Sequence, residues 1–180
     1  MFGLTRSSQL ADFERRIMPH LDTAYSLARF LVRNEQDAED VVQEACLRAF
    51  RFYESFRGEN SRAWFLKIVR NTSFTTLQRT RTNEENVVFD EELHSPEDAQ
   101  PDVGGQLDRE LDRQTVRAAI EELPAEFREV ITLRELEDCS YKEIADIANI
   151  PVGTVMSRLA RARRQLYLIL SKNYPNKTRS

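Results

Sequence analysis

Residues 140–166 read SYKEIADIANIPVGTVMSRLARARRQL, and this stretch decides the fold of the C-terminal part of the chain. Ser140 and Glu143 have the spacing of a capping box, in which each side chain accepts a hydrogen bond from the backbone amide of the other residue. A short helix is therefore predicted over Tyr141–Ala148. Asn149-Ile150-Pro151 predicts a tight turn, because asparagine tolerates the left-handed conformation and proline suits a helix start. A short helix, a turn and a longer helix together form a helix-turn-helix.

The longer helix of this pair has two different faces. Its buried side is predicted from apolar residues at helical spacing: Val155, Leu159, Ala162 and Leu166. Its opposite side carries Thr154, Ser157, Arg158, Arg161 and Gln165. From Pro151 to Ser180 there are seven basic residues and no acidic one, which suits contact with phosphates and base edges of duplex DNA. The alternative is a solvated basic helix on an ordinary bundle, and we expect DNA binding because cap, turn and charge agree.

The composition predicts an all-α protein. The chain has 180 residues with only 5 Gly and 6 Pro, and its apolar residues recur at helical rather than alternating spacing. This length suits one medium domain or two small ones. It contains no run of 18 apolar residues, and the start lacks the apolar core of a signal peptide. We therefore expect no membrane insertion and a cytoplasmic location.

The charge distribution divides the chain into three segments. The net charge is −4, but residues 1–81 carry 13 basic and 10 acidic residues and residues 113–180 carry 12 basic and 9 acidic. Residues 82–112 hold 11 acidic residues and 1 basic residue. We predict a helical domain over 10–81, an acidic flexible linker over 82–112 and a second helical domain over 113–172. The linker has few large apolar residues to offset the entropy of ordering it.

Three helices are predicted in the first domain. One apolar stripe runs from Leu10 to Leu31 and indicates a single long helix. Asn34–Asp37 offers a break and a capping site before the second helix. The third helix is expected from about Arg62 to Arg79, with Ser61 as its cap.

Two polar surfaces of this domain allow alternative interpretations. The third helix carries Lys67, Arg70 and Asn71 near aromatic residues, which suits single-stranded DNA, although most of those aromatics are expected in the core. The second helix presents acidic and amide side chains around an exposed apolar one: Asp37, Glu39, Asp40, Gln43, Glu44 and Leu47. That face is either an ordinary solvated surface or a docking site for a partner protein.

No catalytic or cofactor motif is visible in the sequence. The only histidines are His20 and His94, and we find no glycine-rich phosphate loop, nucleophile elbow or metal-ligand cluster. Cys46 and Cys139 match no metal spacing and are expected to be reduced, buried thiols rather than redox sensors. We therefore predict a protein that is not an enzyme and binds no cofactor or metal.

Four motifs in order resemble the extracytoplasmic-function sigma factors of bacterial RNA polymerase. They are DAEDVVQEA at 37–45, RAWFLKIVRN at 62–71, SYKEIA at 140–145 and PVGTVMSRLARAR at 151–163. The resemblance runs from about Leu10 to Leu170, and the segment between the domains matches only in character. Two positions depart from the family pattern, since Met156 replaces a frequent basic residue and Cys139 replaces a frequent glycine.

The resemblance implies a role for each polar surface. Binding to the beta-prime clamp helices of core RNA polymerase is implied for Asp37, Asp40, Gln43, Glu44 and Leu47. Recognition and melting of the minus-ten promoter element is implied for Phe56, Arg57, Asn60, Ser61, Lys67, Arg70 and Asn71. Reading of the minus-thirty-five element in duplex form is implied for Thr154, Ser157, Arg158, Arg161 and Gln165. The resemblance also implies contact with the polymerase beta flap, a linker that threads channels later occupied by RNA, and inhibition by an anti-sigma factor.

Two other functions remain open at this point. The chain could be a helix-turn-helix transcription regulator with an N-terminal effector or dimerisation domain, which predicts tight palindromic binding without polymerase. It could also be a helical adaptor that never touches DNA, for which Arg158 and Arg161 would be dispensable. The sigma-factor interpretation instead predicts weak, salt-sensitive DNA binding by the free protein.

Overall fold

The computed structural model describes residues 6–86 and 106–173, and every regular element in these ranges is helical. The all-α prediction is therefore confirmed for the described residues. The α-helices are α1 Arg6–Ile17, α2 Leu21–Val32, α3 Glu35–Phe52, α4 Ser61–Asn86, α5 Gln106–Glu121, α6 Ala125–Ile131, α7 Tyr141–Ala148 and α8 Val152–Asn173. Shorter turns occupy Met18–His20 and Tyr53–Ser55 as 3-10 helix and Thr132–Leu136 as π-helix.

The single long helix predicted at the start of the chain is wrong. The 3-10 turn Met18–His20 separates α1 from α2, and Pro19 lies in the middle of this turn. Proline has no amide hydrogen, and its ring clashes with the carbonyl of the preceding helical turn, so a straight helix cannot pass through it. The apolar stripe continues across the break because Phe13, Ile17 and Ala24 remain buried on one side.

The caps of α3 and α4 follow the local sequence, with one correction. The Asn34 side chain accepts a hydrogen bond from the amide of Asp37 at 2.9 Å, as the capping prediction requires. Before α4, however, the amide of Ala63 donates to the Asn60 side chain at 2.9 Å, whereas the Ser61 hydroxyl donates to the carbonyl of Arg16. Asn60 therefore caps α4, because its oxygen lies three residues before a free amide.

The described helices extend into both ends of the segment predicted as a linker. Helix α4 continues to Asn86, beyond the predicted end near Arg79, and α5 begins at Gln106. Residues 87–105 lie outside the described residues. Helix α4 thus extends beyond the end of the apolar stripe that predicted it.

The N-terminal body is built from α1 to α4 around an apolar core. Helices α2, α3 and α4 contact one another pairwise, and Leu27, Leu31, Phe65 and Leu66 are completely buried between them. The Phe13 ring meets the Tyr53 ring edge-on at 5.3 Å between centroids, and such pairs add to area burial.

The C-terminal body packs α6, α7 and α8 into the predicted helix-turn-helix. Ser140 and Glu143 form the capping box with bonds of 3.2 and 2.9 Å, and Asn149 ends α7 at φ 54°. Val155, Leu159 and Ala162 are buried as predicted, whereas Leu166 is only half-buried. None of the helices in the described ranges is long and apolar enough to cross a membrane.

The capping box predicts a measurable loss of stability. Ser140→Ala removes the acceptor for the Glu143 amide, so we expect the free energy of unfolding to fall by about 1 kcal/mol and the melting temperature by roughly 2–4 °C. Thermal unfolding followed by circular dichroism measures both. Ser140→Asp keeps an acceptor at the same position and should stay close to the parent protein. Equal stability of the alanine and parent proteins would contradict the assignment.

Candidate nucleic-acid and polymerase interfaces

The N-terminal half of α8 presents the polar face that the sequence predicts. Pro151 supplies the carbonyl that accepts from the amides of Thr154 and Val155 at 3.0 and 3.1 Å, so α8 starts directly after the turn. Ser157 is exposed and its hydroxyl bonds the carbonyl of Thr154 at 3.1 Å. Arg161 is exposed one turn further along. A groove-binding helix needs such a face with no bulky neighbour in front of it.

Four further positions on α8 are open to solvent. Val152 and Met156 are exposed large apolar residues, and a side chain added at Gly153 would meet no atom within 4 Å. Gln165 is exposed on the same helix. One side of the start of α8 is thus open to solvent, whereas Val155 on the other side is buried.

Arg158 differs from the other predicted duplex-reading residues. Its side chain is only 24% exposed, and its Nη2 lies 3.9 Å from Glu126 Oε2 on α6. A long ion pair of this kind is weak, so the guanidinium can exchange the carboxylate for a phosphate. Arg158 lies at the edge of the polar face rather than at its centre.

Sequence reasoning did not assign the next two arginines on α8. Arg163 donates to Glu135 at 2.6 and 3.0 Å through two nitrogens, and this pair links α8 to the π-helical turn. Arg164 is exposed. In the sequence, Arg163 and Arg164 belong to a run of basic residues. Such a run does not distinguish an arginine that contacts DNA from one that forms a structural ion pair.

The loop before α4 is held by aromatic stacking. The Phe56 ring lies 4.8 Å from the Trp64 ring between centroids, and the Arg16 guanidinium lies 5.5 Å from the centroid of the Phe56 ring. Gly58 allows this placement, since a Cβ there would come within 3.0 Å of the Phe56 ring. Arg57 is exposed and donates to the carbonyls of Glu54 and Phe56. Phe56 is therefore half-buried, and Arg57 is the exposed charge of this loop.

The polar stripe of α4 faces the C-terminal body. Arg70 Nε donates to Glu129 Oε1 at 2.6 Å, and its guanidinium lies 4.4 Å from the centroid of the Phe74 ring. Lys67 Nζ lies 3.8 Å from Asp146 Oδ1. Asn71 is exposed and accepts from Arg70 at 3.3 Å. The structure thus divides the predicted minus-ten residues, with some exposed and others paired to acids of the second body.

Glu129 is a residue that the sequence pattern missed. It is completely buried, and burial raises the pKa of its carboxyl although Arg70 opposes that shift. Its neighbour Arg128 is also buried and donates to the carbonyl of Leu31 in α2 at 3.1 Å. Burial, together with the nearby Arg33, lowers the pKa of Arg128 to about 10. No periodicity predicts two adjacent buried charges, because Leu31 and Arg70, which contact them, lie far away in the sequence.

The acidic face of α3 is exposed as predicted. Asp40, Gln43 and Glu44 are exposed, and the Leu47 side chain between them is 60% exposed. Glu44 is paired with Arg48 at 2.7 Å, while Asp37 is half-buried at the start of the helix. Leu47 also borders an apolar groove whose other walls include Leu10, Leu21, Tyr25, Val42 and Phe50. A protruding leucine beside an apolar groove suits a protein partner better than an ordinary solvated face.

Neither cysteine lies in an environment that activates its thiol. Burial raises the pKa of the Cys139 thiol to about 11, and it also raises the pKa of the half-buried Cys46. Since the thiolate is the reactive form, both are poor nucleophiles in the folded protein. Cys139 instead fills the core under the capping box, and its carbonyl accepts from Arg134 at 2.9 Å.

Comparison with known proteins identifies two family domains in this chain. The family described as Sigma-70 region 2 matches residues 17–82, and the family described as Sigma-70, region 4 matches residues 113–166. The ECF RNA polymerase sigma-E factor of Haemophilus influenzae is 40% identical over 149 residues, which is 78% of this chain and 77% of that protein. The Escherichia coli K12 protein of the same description is 40% identical over 144 residues, 72% of each chain. The sigma factor RpoE of Bartonella quintana, solved in complex with the anti-sigma factor NepR, superimposes with a TM-score of 0.67 at 29% identity, covering 89% of this chain and 97% of that one.

The cysteine environments predict different reactivity for the two thiols. At pH 8 a thiol with a pKa of about 11 is ionised to about one part in a thousand, so Cys139 should react with a disulfide reagent at least about tenfold more slowly than the less buried Cys46. Mass spectrometry of the native protein over time measures both rates. A Cys46→Ala protein should take up no label until denaturant is added. Rapid labelling of Cys139 in that protein would contradict the buried assignment.

Proposed function

Because this chain belongs to the extracytoplasmic-function sigma factors, which confer promoter specificity on RNA polymerase, we propose which surface performs each step of initiation. The N-terminal domain would bind core polymerase and the melted minus-ten strand, and the C-terminal domain would read the minus-thirty-five duplex. The proposed domain limits are 10–81 and 113–172, joined by the acidic segment 82–112. Each of these proposed roles is a binding role and none is catalytic. The chain would perform them in the cytoplasm, where the polymerase acts.

The exposed start of α8 carries the proposal for duplex DNA. Thr154, Ser157 and Arg161 lie on one side of a helix that begins in a capped helix-turn-helix. Hydroxyl groups and guanidinium groups are the donors that reach base edges and phosphates in a major groove. No acid follows Pro151, so nothing on this helix repels the DNA. We assign Arg158 and Gln165 to the edges of the same contact.

The α3 face supports the proposed contact with the beta-prime clamp helices. Leu47 supplies an exposed apolar anchor, and Asp40, Gln43 and Glu44 surround it with polar groups. An apolar centre with a polar rim is the usual anatomy of a protein interface. Asp37 would act at the N-terminal end, where it also complements the helix dipole.

The loop before α4 and the polar stripe of α4 support the proposed binding of single-stranded DNA. Phe56 is held against Trp64, and both Arg57 beside it and Asn71 further along α4 are exposed. Aromatic rings beside cations and amides suit unpaired bases and their phosphates. Asn60, Ser61, Lys67 and Arg70 complete the proposed surface along the start of α4.

An anti-sigma factor is the proposed regulatory partner. The Bartonella quintana sigma factor was solved in complex with the anti-sigma factor NepR, and another structure similar to this chain is that of CnrH in complex with the cytosolic domain of CnrY. We propose that a protein of this kind binds the present chain, with the apolar groove beside Leu47 as one contact.

The polymerase beta flap would contact the C-terminal domain, and the acidic linker would lie in basic channels of the polymerase.

Reconstitution with core polymerase tests the proposal. Purified chain and bacterial core RNA polymerase would be incubated with a genomic promoter library, and the run-off transcripts sequenced. We expect defined start sites that share two upstream elements. Leu47→Asp should weaken core binding at least about tenfold because it places a charge in the apolar centre of the interface. Control Phe52→Asp makes the same charge change at another exposed apolar residue of this helix, off the face that carries the proposed contact. No core binding by folded parent protein would overturn the proposal.

The two DNA surfaces predict two separable defects. Arg161→Ala should weaken binding of holoenzyme to duplex minus-thirty-five DNA about tenfold, which matches the loss of one good base or phosphate contact. Asn71→Ala should leave that binding unchanged and slow promoter opening, measured by permanganate reactivity of unpaired thymines. Failure of both variants at the same step would show that the division between the domains is wrong.

A further inference from the structure

Two large apolar side chains at the start of α8 are exposed and belong to none of the three proposed surfaces. Val152 is 42% exposed and Met156 is 54% exposed. Because the two residues are four positions apart, their side chains are neighbours along one side of the helix. Ala160, which is also exposed, continues this line by a further turn. We refer to Val152, Met156 and Ala160 as the apolar row.

The apolar row lies directly beside residues that are proposed to contact duplex DNA. Gly153, Ser157 and Arg161 each follow a member of the apolar row by one position, so they form the next row of the same helix. All three are exposed, and a Cβ added at Gly153 would meet no atom within 4 Å. The two rows therefore form one continuous exposed surface. The other side of the helix is buried and carries Val155, Leu159 and Ala162.

The charges around the apolar row favour DNA over a protein as the molecule that covers it. From Pro151 to Ser180 there are seven basic residues and no acidic one, and Arg161 and Arg164 are exposed close to the row. Such a surface attracts a polyanion. Single exposed apolar residues are common on proteins, but neighbouring ones beside a binding surface indicate a contact.

We propose that Val152 and Met156 contact the 5-methyl groups of thymines in the minus-thirty-five element and thereby select A·T pairs at the positions that they cover. This inference rests on the proposed binding of α8 to that duplex. The thymine methyl is the apolar group that base pairs present in the major groove, and apolar side chains recognise it there. Ser157 and Arg161 donate hydrogen bonds to the same duplex, so the two rows read different chemical groups of the bases.

The chemistry of the two side chains suits this contact. Methionine is unbranched and flexible, so Met156 can adapt to a methyl group at the irregular floor of a groove. Cytosine presents an amino group and no methyl on its major-groove edge. Against Val152 and Met156 that amino group would lose water without gaining an acceptor, which costs free energy. The apolar row therefore favours thymine and also disfavours cytosine in its place.

Replacement of single thymines by deoxyuridine tests the contact, because it removes one methyl group and leaves base pairing unchanged. Holoenzyme is bound to a fluorescent promoter duplex taken from the transcription experiment, and anisotropy at one fixed salt concentration gives the Kd. Each thymine of the minus-thirty-five element is replaced in turn, on either strand. We expect one or two of these replacements to weaken parental binding about fourfold, which corresponds to the burial of one methyl group.

Variants of the apolar row connect the methyl effect to particular side chains. Met156→Ala should bind the thymine and deoxyuridine duplexes equally at the position that Met156 covers, and Val152→Ala should do so at its own position. Met156→Leu keeps an apolar side chain of similar volume and should retain the difference. Leu168→Ala is the matched control, because it shortens another exposed apolar residue of α8, two turns beyond Arg161. Alanine favours helix, so the alanine variants are expected to fold, which circular dichroism verifies.

Loss of the methyl effect in Met156→Ala or Val152→Ala, with its retention in Met156→Leu and Leu168→Ala, is the result that supports the inference. A methyl effect of parental size in both alanine variants would overturn it, and so would a parent that responds to no deoxyuridine. A minus-thirty-five element without an A·T pair would overturn it as well. Lower transcription by Met156→Ala at an unchanged Kd for every duplex would show that the row contacts a protein instead.

These outcomes are distinct from a failure of the proposed function. The start sites, the binding of core polymerase and the defect of Arg161→Ala do not depend on a thymine methyl group, so they persist if only the present inference is wrong. Unchanged binding of duplex minus-thirty-five DNA by the Arg161→Ala holoenzyme would instead overturn the assignment of α8 to this duplex, and the role of the apolar row would fail with it.

Discussion

Two adjacent charged residues on a helix of seven residues join the halves of this protein. Arg128 and Glu129 of α6 are both buried, and they reach in different directions, one to the carbonyl of Leu31 and the other to Arg70. A buried charge without a partner is strongly destabilising. The N-terminal body supplies the partner of Glu129, whereas Arg128 also donates to the carbonyls of Glu121 and Leu123 in its own body. The orientation of α6 against α2 and α4 therefore follows from charge pairing as well as from apolar packing.

The same pairing leaves some atoms unsatisfied. Arg128 Nε, Glu129 Oε2 and the Thr132 hydroxyl are buried without hydrogen-bond partners. Each such group costs free energy that the surrounding contacts must offset. Each body keeps its own apolar core, with Leu27 and Leu66 in one and Ile147 and Leu159 in the other.

The polar surfaces of the two bodies differ in which side chains are exposed to solvent and which already have partners within the chain. On α8 the side chains of Ser157 and Arg161 are exposed at the open start of a helix, and on α3 Leu47 protrudes beside an apolar groove. On α4, by contrast, Lys67 and Arg70 already have acidic partners. The proposed contacts with polymerase and duplex DNA thus use exposed side chains, whereas part of the proposed minus-ten surface already has partners within the chain.

The sequence by itself determined the features that depend on neighbouring residues. The capping box of Ser140, the left-handed Asn149 and the buried stripe of α8, apart from the half-buried Leu166, were predicted correctly, because caps, turns and periodicity act over a few residues. The break at Pro19 and the Asn60 cap have local causes too, and both predictions there were wrong. At the first site the apolar stripe is continuous across the proline, and at the second a serine follows the asparagine directly. The burial of Glu129, the half-buried position of Arg158 and the pairing of Arg70 were decided only by tertiary structure. These features join residues far apart in the chain, and no local pattern records which charge a second body will cover.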